Sequence, residues 1–207
     1  MRGSHNKTPP QEFVAWLELE SDDWKPSYPF DDKSVRSAVV QSLLEHQRGL
    51  CVYCGRLLDL SDAGKTFHIE HFRPQHEYKE LSVNFENLYL SCGQANQDGG
   101  RSQTCGTKKD RWFDEDRFIE PTYPACALSF YFNLNGSVEP VVTDERCASK
   151  MIEVLNLNHR ELTREREEVL KLLDSGELDV SDFWDVEKGM AESLAHVAYQ
   201  HSSVVIP

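Results

Sequence analysis

Apolar side chains recur at helical spacing between residues 30 and 49. The apolar positions of this segment are Val35, Val39, Leu43 and Leu44. Acidic residues precede them and Gly49 follows, which are the start and stop signals of an amphipathic helix. We therefore predict a helix in this segment.

The middle of the chain changes to short apolar runs bounded by polar residues. Residues 65–72 and 85–92 have the length and composition of strands. For the remaining middle segments we predict a ribbon with a turn at Gly55 over residues 50–60, an exposed loop over residues 93–104 and a short helix over residues 105–113.

The C-terminal part returns to longer elements. Residues 125–142 predict a β-hairpin in which Asn135 and Gly136 form a two-residue turn. The apolar spacing that follows predicts three helices, at about residues 144–156, 159–174 and 181–200. The mixture of short strands and segregated helices is typical of the α+β class.

The charge of −13 is concentrated at one end of the chain. Residues 112–207 carry 8 basic and 19 acidic side chains, whereas residues 51–111 carry 8 of each. Nucleic-acid binding depends on cations that neutralise phosphates, so an acidic chain binds nucleic acid poorly by itself. A role on DNA or RNA would depend on the neutral middle or on a more basic partner.

The chain has no long apolar segment. No run approaches the roughly 18 apolar residues of a membrane span, and the first residues lack the apolar core of a secretory leader. We therefore expect a cytoplasmic protein that does not contact a membrane. Cysteines stay reduced there, so the six cysteines call for an explanation other than disulfides.

Four of these cysteines have the spacing of a metal site. Cys51 and Cys54 form a C-x2-C turn, the geometry of a zinc knuckle, and Cys92 and Cys105 flank the predicted loop. The alternative is that the four thiols are small buried apolar side chains. We favour a structural Zn²⁺ site, because C-x2-C is uncommon as mere core packing.

Histidine and glutamate crowd into the stretch FHIEHFRPQHEY, residues 67–78. His71 suits a general base, because the reference pKa of histidine is about 6.5. Glu70 suits a hard divalent cation such as Mg²⁺. Asn87, in ENLYL, offers an amide that could orient the base. These groups together are what the hydrolysis of a phosphodiester requires.

The successive motifs CVYC, HIEHFRP, ENLYLSC and CGTKK resemble those of the HNH endonucleases, the zinc-stabilised ββα-metal nucleases. The resemblance covers about residues 50–111. The residues of these motifs and of the downstream LNLNHRELTRER are most similar to those of the PtuB-type HNH proteins. PtuB-type proteins accompany an AAA- or ABC-type ATPase in Septu and certain retron antiphage systems.

The resemblance implies a role for each matched residue. His71 would be the base, assisted by Asn87, with His68 as a further catalytic or structural residue. Glu70 would bind the catalytic Mg²⁺ or Mn²⁺, and Lys109 would contact a phosphate, as would the nearby Arg73. The structural zinc ligands that it implies are Cys51, Cys54, Cys92 and Cys105.

One position departs from the family pattern. Many HNH proteins have a further metal ligand shortly after the last cysteine, where this chain has Gly106 and Thr107. The candidates for the missing ligand are Asp110, Asn96, Asp98 and His68. Without such a ligand the catalytic metal site would be weak.

The sequence therefore predicts an α+β chain in two parts. Residues 1–118 would hold the N-terminal helix and the ββα-metal HNH core with its zinc ribbon, and residues 119–207 a β-hairpin and an acidic helical extension. The extension could pack on the core, dock a partner, or both.

The predicted function is a metal-dependent endonuclease, acting on DNA rather than RNA, in an antiphage system. A PtuA-like ATPase, and in retrons a reverse transcriptase with its DNA, are the partners that the resemblance implies. The alternative is a zinc-stabilised interaction module that recruits or regulates the ATPase without cutting nucleic acid.

Overall fold

The computed structural model describes residues 1–93, 103–142 and 145–205. Its helices are α1 (Gln11–Leu17), α2 (Lys33–His46), α3 (Cys105–Lys109), α4 (Glu145–Val154), α5 (Arg160–Ser175) and α6 (Ala195–His201). Its strands are β1 (Phe67–His71), β2 (Leu88–Cys92), β3 (Phe130–Phe132), β4 (Val138–Pro140), β5 (Trp184–Asp185) and β6 (Met190–Ala191). The strands form three antiparallel pairs, β1–β2, β3–β4 and β5–β6. The α+β class predicted from the sequence is confirmed.

Helix α2 is the element that the apolar pattern predicted. Asp32 caps its N-terminus by accepting hydrogen bonds from the backbone N–H groups of Ser34 and Val35. Its buried side chains are Val35, Val39, Leu43 and Leu44. Helix α1 was not predicted, since its seven residues are too few to show a helical period, although Phe13 and Trp16 are buried.

The predicted ββα unit is present in the order β1, β2, α3. Strand β1 pairs with β2 so that His68 lies opposite Ser91 and Glu70 opposite Tyr89. A short 3-10 turn, Phe85–Asn87, leads directly into β2. The predicted ribbon of residues 50–60 is instead a turn at Gly55 with an isolated bridge between Leu50 and Leu57. Most of the predicted loop, residues 94–102, lies outside the described residues.

The β3–β4 hairpin is confirmed, but its predicted two-residue turn is wrong. The Asn133 N–H donates to the Ser137 carbonyl, and the Gly136 N–H donates to the Asn133 carbonyl. Three residues therefore form the loop, and Gly136 supplies the positive φ of 77° that such a loop needs at its last position.

The predicted helix over residues 181–200 is also wrong. A 3-10 turn, Val180–Phe183, and the β5–β6 pair come first, and only α6 is helical. The Asp185 carboxylate accepts hydrogen bonds from the backbone N–H groups of Glu187 and Lys188, and Gly189 has a φ of 63°. This local turn chemistry competes with the helix and prevails over its apolar spacing.

The main apolar core draws on both predicted parts of the chain. Its buried members include Leu43 and Leu90 from the first part and Phe130 and Met151 from the second. The division at residue 118 therefore stays a prediction. Among the described helices, none combines the length and the apolar composition that a membrane span needs.

Candidate active site and metal centre

Four buried cysteines meet where the ββα unit packs on the preceding turn. Cys51 and Cys54 lie in the turn after α2, Cys92 ends β2 and Cys105 begins α3. Their Sγ atoms all lie within 4.8 Å of one another. Four soft sulfur donors at this separation are the ligand set of a closed tetrahedral site. The cluster is therefore compatible with a structural zinc ion.

The surroundings of the cluster fit an anionic metal centre. Arg166 is buried on α5, donates through Nη1 to the Gly136 carbonyl and through Nη2 to the Leu157 carbonyl, and makes no ion pair with a carboxylate of the described residues. Burial lowers the pKa of Arg166 to about 10, and negative charge on the nearby cysteine cluster would oppose this shift. A zinc ion with four thiolates keeps a net negative charge, which would balance this buried cation.

The C-terminal elements pack directly on the cysteine turn. The Arg56 guanidinium makes two hydrogen bonds of 2.7 Å to the Glu165 carboxylate on α5. The Leu194 N–H donates to the Gly55 carbonyl at 2.7 Å. A Cβ atom at Gly55 would come within 2.2 Å of the His196 ring on α6, so only glycine fits there. The acidic extension thus helps to enclose the cysteine cluster.

A cleft of about 410 Å³ opens along β1 and α3. Strand β1 contributes His68, Glu70 and His71 to its lining. From α3 and the residues after it come Gly106, Thr107, Asp110 and Arg111. The His/Glu cluster of the sequence therefore lies in a concave site of the size that holds small ligands or parts of larger ones.

Glu70 is held as a buried carboxylate with one oxygen fully engaged. Its Oε1 accepts hydrogen bonds from the Tyr53 hydroxyl at 3.0 Å and from the Lys109 ammonium at 2.8 Å. Its Oε2 lies 3.2 Å from His68 Nε2. Burial would raise the pKa of Glu70, but Lys109 and His68 outweigh burial and lower it to about 2. Glu70 is therefore ionised at neutral pH, with Oε2 directed toward His68.

Gly106 lets this pair pack directly against α3. A Cβ atom at Gly106 would lie 2.4 Å from Glu70 Oε2 and 2.7 Å from His68 Nε2, so a side chain there would clash with both. The position at which the family pattern has a metal ligand thus offers none, and the possible ligand atoms beside it are Glu70 Oε2 and His68 Nε2. A divalent ion such as Mg²⁺ often takes few protein ligands and keeps water and substrate oxygens, so a carboxylate and an imidazole at the cleft fit such an ion.

The other candidate metal ligands lie apart or cannot be placed. Asp110 is exposed and lines the cleft, with a φ of 53°. No third His, Cys, Asp or Glu atom of the described residues joins His68 and Glu70 in a compact group. Asn96 and Asp98 lie outside the described residues.

His71 is fixed by its backbone neighbour. Its Nε2 lies 2.9 Å from the Ser82 carbonyl, which can only accept a hydrogen bond. Nε2 therefore carries the proton in the neutral ring, and Nδ1 is the proton-accepting nitrogen. The Tyr28 ring packs edge-on against the imidazole at 4.5 Å. Burial lowers the pKa of His71, which keeps the ring neutral at neutral pH.

Asn87 reaches His71 only through the intervening loop. Its side chain accepts from the Arg73 N–H at 2.8 Å and donates to the carbonyls of Arg73 and Leu81, at 2.9 and 3.2 Å. Leu81 precedes Ser82, whose carbonyl holds the imidazole. The orienting role expected of Asn87 would thus be exerted on the loop and not by direct contact with the His71 ring.

The two cations expected to contact phosphate, Lys109 and Arg73, each have partners within the protein. The Lys109 side chain is buried, and besides Glu70 it donates to the His71 carbonyl at 3.3 Å. The Arg73 guanidinium packs over Phe113 and Phe118, at 5.0 and 5.3 Å from their centroids. A buried carboxylate needs a buried counter-charge, which explains why Lys109 points inward and not toward the cleft surface.

Two residues of the site had no signal in the sequence. Tyr53 donates a hydrogen bond to Glu70, and Tyr28 packs on His71. Tyr53 lies inside the CVYC motif, but its partner is on another element, so its role depends on tertiary structure. The same is true of Tyr28.

Comparisons with known proteins point to one family. No protein-family model matches the chain. A protein of Vibrio cholerae serotype O1 biovar El Tor, named "Retron Vc95 putative HNH endonuclease", is 30% identical over 178 residues, which cover 82% of this chain and 82% of the relative. The Septu protein PtuB of Bacillus thuringiensis is 39% identical over 69 residues, covering 33% of this chain and 25% of that protein.

The likeness to the Vibrio protein covers 82% of both chains, so it extends well beyond residues 50–111, the segment that carries the motifs. The order of strand, strand and helix around these two sites agrees with the resemblance that the motifs showed. The chain therefore belongs to the HNH endonuclease family.

Proposed function

We propose that this chain is a metal-dependent endonuclease that cleaves phosphodiester bonds in DNA as part of an antiphage system. The observation that carries the proposal is the cleft, where His71 lines the same surface as the Glu70–His68 pair and Gly106. A base and a cation site next to one another are the two groups that phosphodiester hydrolysis needs.

In this proposal His71 is the general base. Nδ1 accepts a proton from the attacking water, while Nε2 keeps its proton and donates it in a hydrogen bond to the Ser82 carbonyl. That hydrogen bond would hold the ring in one tautomer and also stabilise the imidazolium that forms. Asn87 supports the loop that carries Ser82.

Glu70 and His68 would hold the Mg²⁺ or Mn²⁺ ion through Oε2 and Nε2. When bound, the ion supplies positive charge for the phosphate oxygens and the leaving oxygen. Tyr53 and Lys109 hold Oε1, so the carboxylate cannot rotate away from the cleft without losing both contacts. The four-cysteine site would hold Zn²⁺ for stability and take no part in cleavage.

We further propose that the protein works with an ATPase that supplies most of the nucleic-acid-binding surface. The chain has a net charge of −13, and the extension contributes most of it. Few cations are therefore available near the cleft to bind a nucleic acid. Binding through phosphate contacts also weakens steeply with salt. Exposed acidic residues on α5, such as Glu161 and Glu168, would face a basic surface of that partner.

The nuclease proposal is tested with the purified full chain. It would be incubated with single- and double-stranded DNA and with RNA, in Mg²⁺ or Mn²⁺, with and without the co-purified ATPase. We expect DNA cleavage that requires the divalent ion and that is lost in His71→Ala. A correctly folded, zinc-loaded complex that cuts none of these substrates would instead favour an interaction module.

The partner proposal needs a test that leaves the core intact, because the extension packs on the cysteine turn and its deletion would disturb the fold. We would compare Glu161→Lys/Glu168→Lys with Asp22→Lys/Asp23→Lys, which makes the same charge change at exposed positions outside the extension. Pull-down with the ATPase should weaken only for the first variant, and more strongly at low salt. Equal binding of both variants would contradict docking through α5.

A further inference from the structure

Lys7 lies in the segment before α1, outside every motif of the nuclease core. Its Nζ donates to the carbonyls of Phe85, Glu86 and Leu88, at 3.0, 2.6 and 2.8 Å. The ammonium also lies 3.5 Å above the centroid of the Tyr89 ring. All three donors of the ammonium are thus engaged by backbone of a segment about eighty residues away along the chain.

These three carbonyls enclose Asn87. Phe85 and Glu86 precede it in the 3-10 turn, and Leu88 follows it as the first residue of β2. The turn changes from helical to extended backbone at this point, where carbonyls leave the regular hydrogen-bond pattern. Lys7 therefore ties the backbone on both sides of Asn87 to one charged group.

The contacts continue from Asn87 to the candidate base. The Asn87 side chain holds the backbone of Arg73 and Leu81, and the carbonyl of the next residue, Ser82, accepts the Nε2 proton of His71. The Asn87 carbonyl also accepts a hydrogen bond from the Phe72 N–H, next to His71. A shift of Asn87 would thus move both the imidazole's partner and the backbone of its neighbour.

The Lys7 side chain is held firmly although it is only partly buried. Partial burial of the ammonium is unfavourable, and Glu86 and Glu120 favour its charged form without making an ion pair with it. Three charge-assisted hydrogen bonds offset the cost of burial. Because all three donors are held by carbonyls on both sides of Asn87, the contact indicates a fixed geometry at Asn87.

We infer that Lys7 is a positioning residue for His71, acting through Asn87 and the Ser82 carbonyl. The inference rests on the proposed function only in taking His71 as the base. It assigns part of the active-site geometry to a residue far outside the segment that resembles HNH nucleases.

The test compares Lys7→Met, which keeps the length of the side chain and removes its three donors, with Lys7→Gln, which keeps two. The first readout is ¹⁵N NMR of the His71 ring, which reports the tautomer whether or not the protein cuts DNA. We expect the Nε2–H form to dominate in the wild type and the two tautomers to mix in Lys7→Met, with Lys7→Gln in between.

The second readout is cleavage by the full chain with its ATPase partner. Lys7→Met should lower kcat by about 10- to 100-fold, the range expected for a misplaced catalytic group, with KM within about twofold. Lys25→Met, at an exposed lysine, should leave kcat unchanged. Leu170→Ala, in the core of α5, serves as a variant of reduced stability without a link to His71.

The inference is overturned if Lys7→Met keeps the wild-type tautomer and kcat. It is also overturned if Leu170→Ala has the same thermal stability as Lys7→Met and loses as much kcat as Lys7→Met does. Lys7→Gln decides the question if Lys7→Met does not fold, since an unchanged tautomer in that variant would also overturn it. A wild-type chain that cuts nothing would contradict the proposed nuclease, while the NMR comparison would still decide whether Lys7 positions His71.

Discussion

The four-cysteine cluster and the cleft differ in how much of each site the protein supplies. The cluster brings four buried sulfur atoms within 4.8 Å of one another and leaves no position open. The cleft offers Glu70 Oε2 and His68 Nε2, which pack against Gly106, a position that supplies no ligand. Cys105 and Gly106 are consecutive residues of α3, so one short helix serves both sites. A closed ligand set suits stability, and an incomplete one leaves room for substrate.

The two sites also differ in how charge is balanced. The cysteine cluster has a buried cation nearby, Arg166, that no carboxylate of the described residues pairs with. In the cleft, the Glu70 carboxylate is paired with Lys109 at 2.8 Å. The first arrangement anticipates negative charge from metal-bound thiolates, whereas the second is balanced before any ion binds. The first site should therefore depend on its metal for folding and the second should not.

The largest effect should come from opening the closed site. Cys92→Ser removes one of four zinc ligands, and structural zinc binding is worth about 10–16 kcal/mol in small zinc domains. That exceeds the free energy of unfolding of many domains, so we expect loss of zinc and of cooperative thermal unfolding. Cys147→Ser, at a partly exposed thiol outside the cluster, should keep both. A folded, zinc-free Cys92→Ser protein would remove the distinction between the sites.

The second largest effect should separate chemistry from stability. His71→Ala removes the proposed base, and general-base catalysis contributes about 10²- to 10⁴-fold, so cleavage should fall by that factor. Zinc content and the midpoint of thermal unfolding should change little, because among the described residues the His71 ring makes one hydrogen bond, to the Ser82 carbonyl, and one aromatic contact. His201→Ala is the matched control at a partly exposed histidine. Wild-type cleavage by His71→Ala would exclude His71 as the base.

A smaller effect should follow from adding a side chain at Gly106. Gly106→Ala places a Cβ atom 2.4 Å from Glu70 Oε2, so the carboxylate must turn and the divalent ion should bind more weakly. We expect about a 10-fold loss of cleavage at low Mg²⁺, as misplaced groups typically cause, with partial recovery at high Mg²⁺. Lys108→Ala, at an exposed position of α3, provides the comparison. Equal Mg²⁺ dependence of cleavage in the two variants would argue against a metal bound by Glu70 and His68.

The smallest effect should concern the charge around the cluster. Arg166→Met keeps much of the buried volume and removes the cation, so the thiolates lose a stabilising charge. Residues outside the ligand set typically change metal affinity by about 10- to 100-fold, and we expect the lower end for zinc in competition with a chelator. Arg164→Met, exposed on the same helix, should have no effect. An unchanged zinc affinity in Arg166→Met would show that the thiolates do not need this cation.

The sequence was most informative where chemistry is local. Helix α2 followed from its apolar period and from the acidic residues before it. The cysteine cluster followed from the C-x2-C spacing, since a metal site restricts residue type severely. The prediction of a helix over residues 181–200 was wrong because the same apolar spacing is compatible with a hairpin. Asp185 and Gly189 form the turn of that hairpin. Short elements such as α1 have too few residues to show a period.

The sequence by itself determined the residue types of the two sites: four cysteines, a His/Glu pair and a histidine after it. Only the tertiary structure decided where each side chain points. Lys109 lies within the CGTKK motif, yet it turns inward because the buried Glu70 needs a counter-charge. Lys7 lies far from the core motifs in sequence, yet it binds the backbone around Asn87. Burial and charge balance depend on residues from distant segments, which no local pattern records.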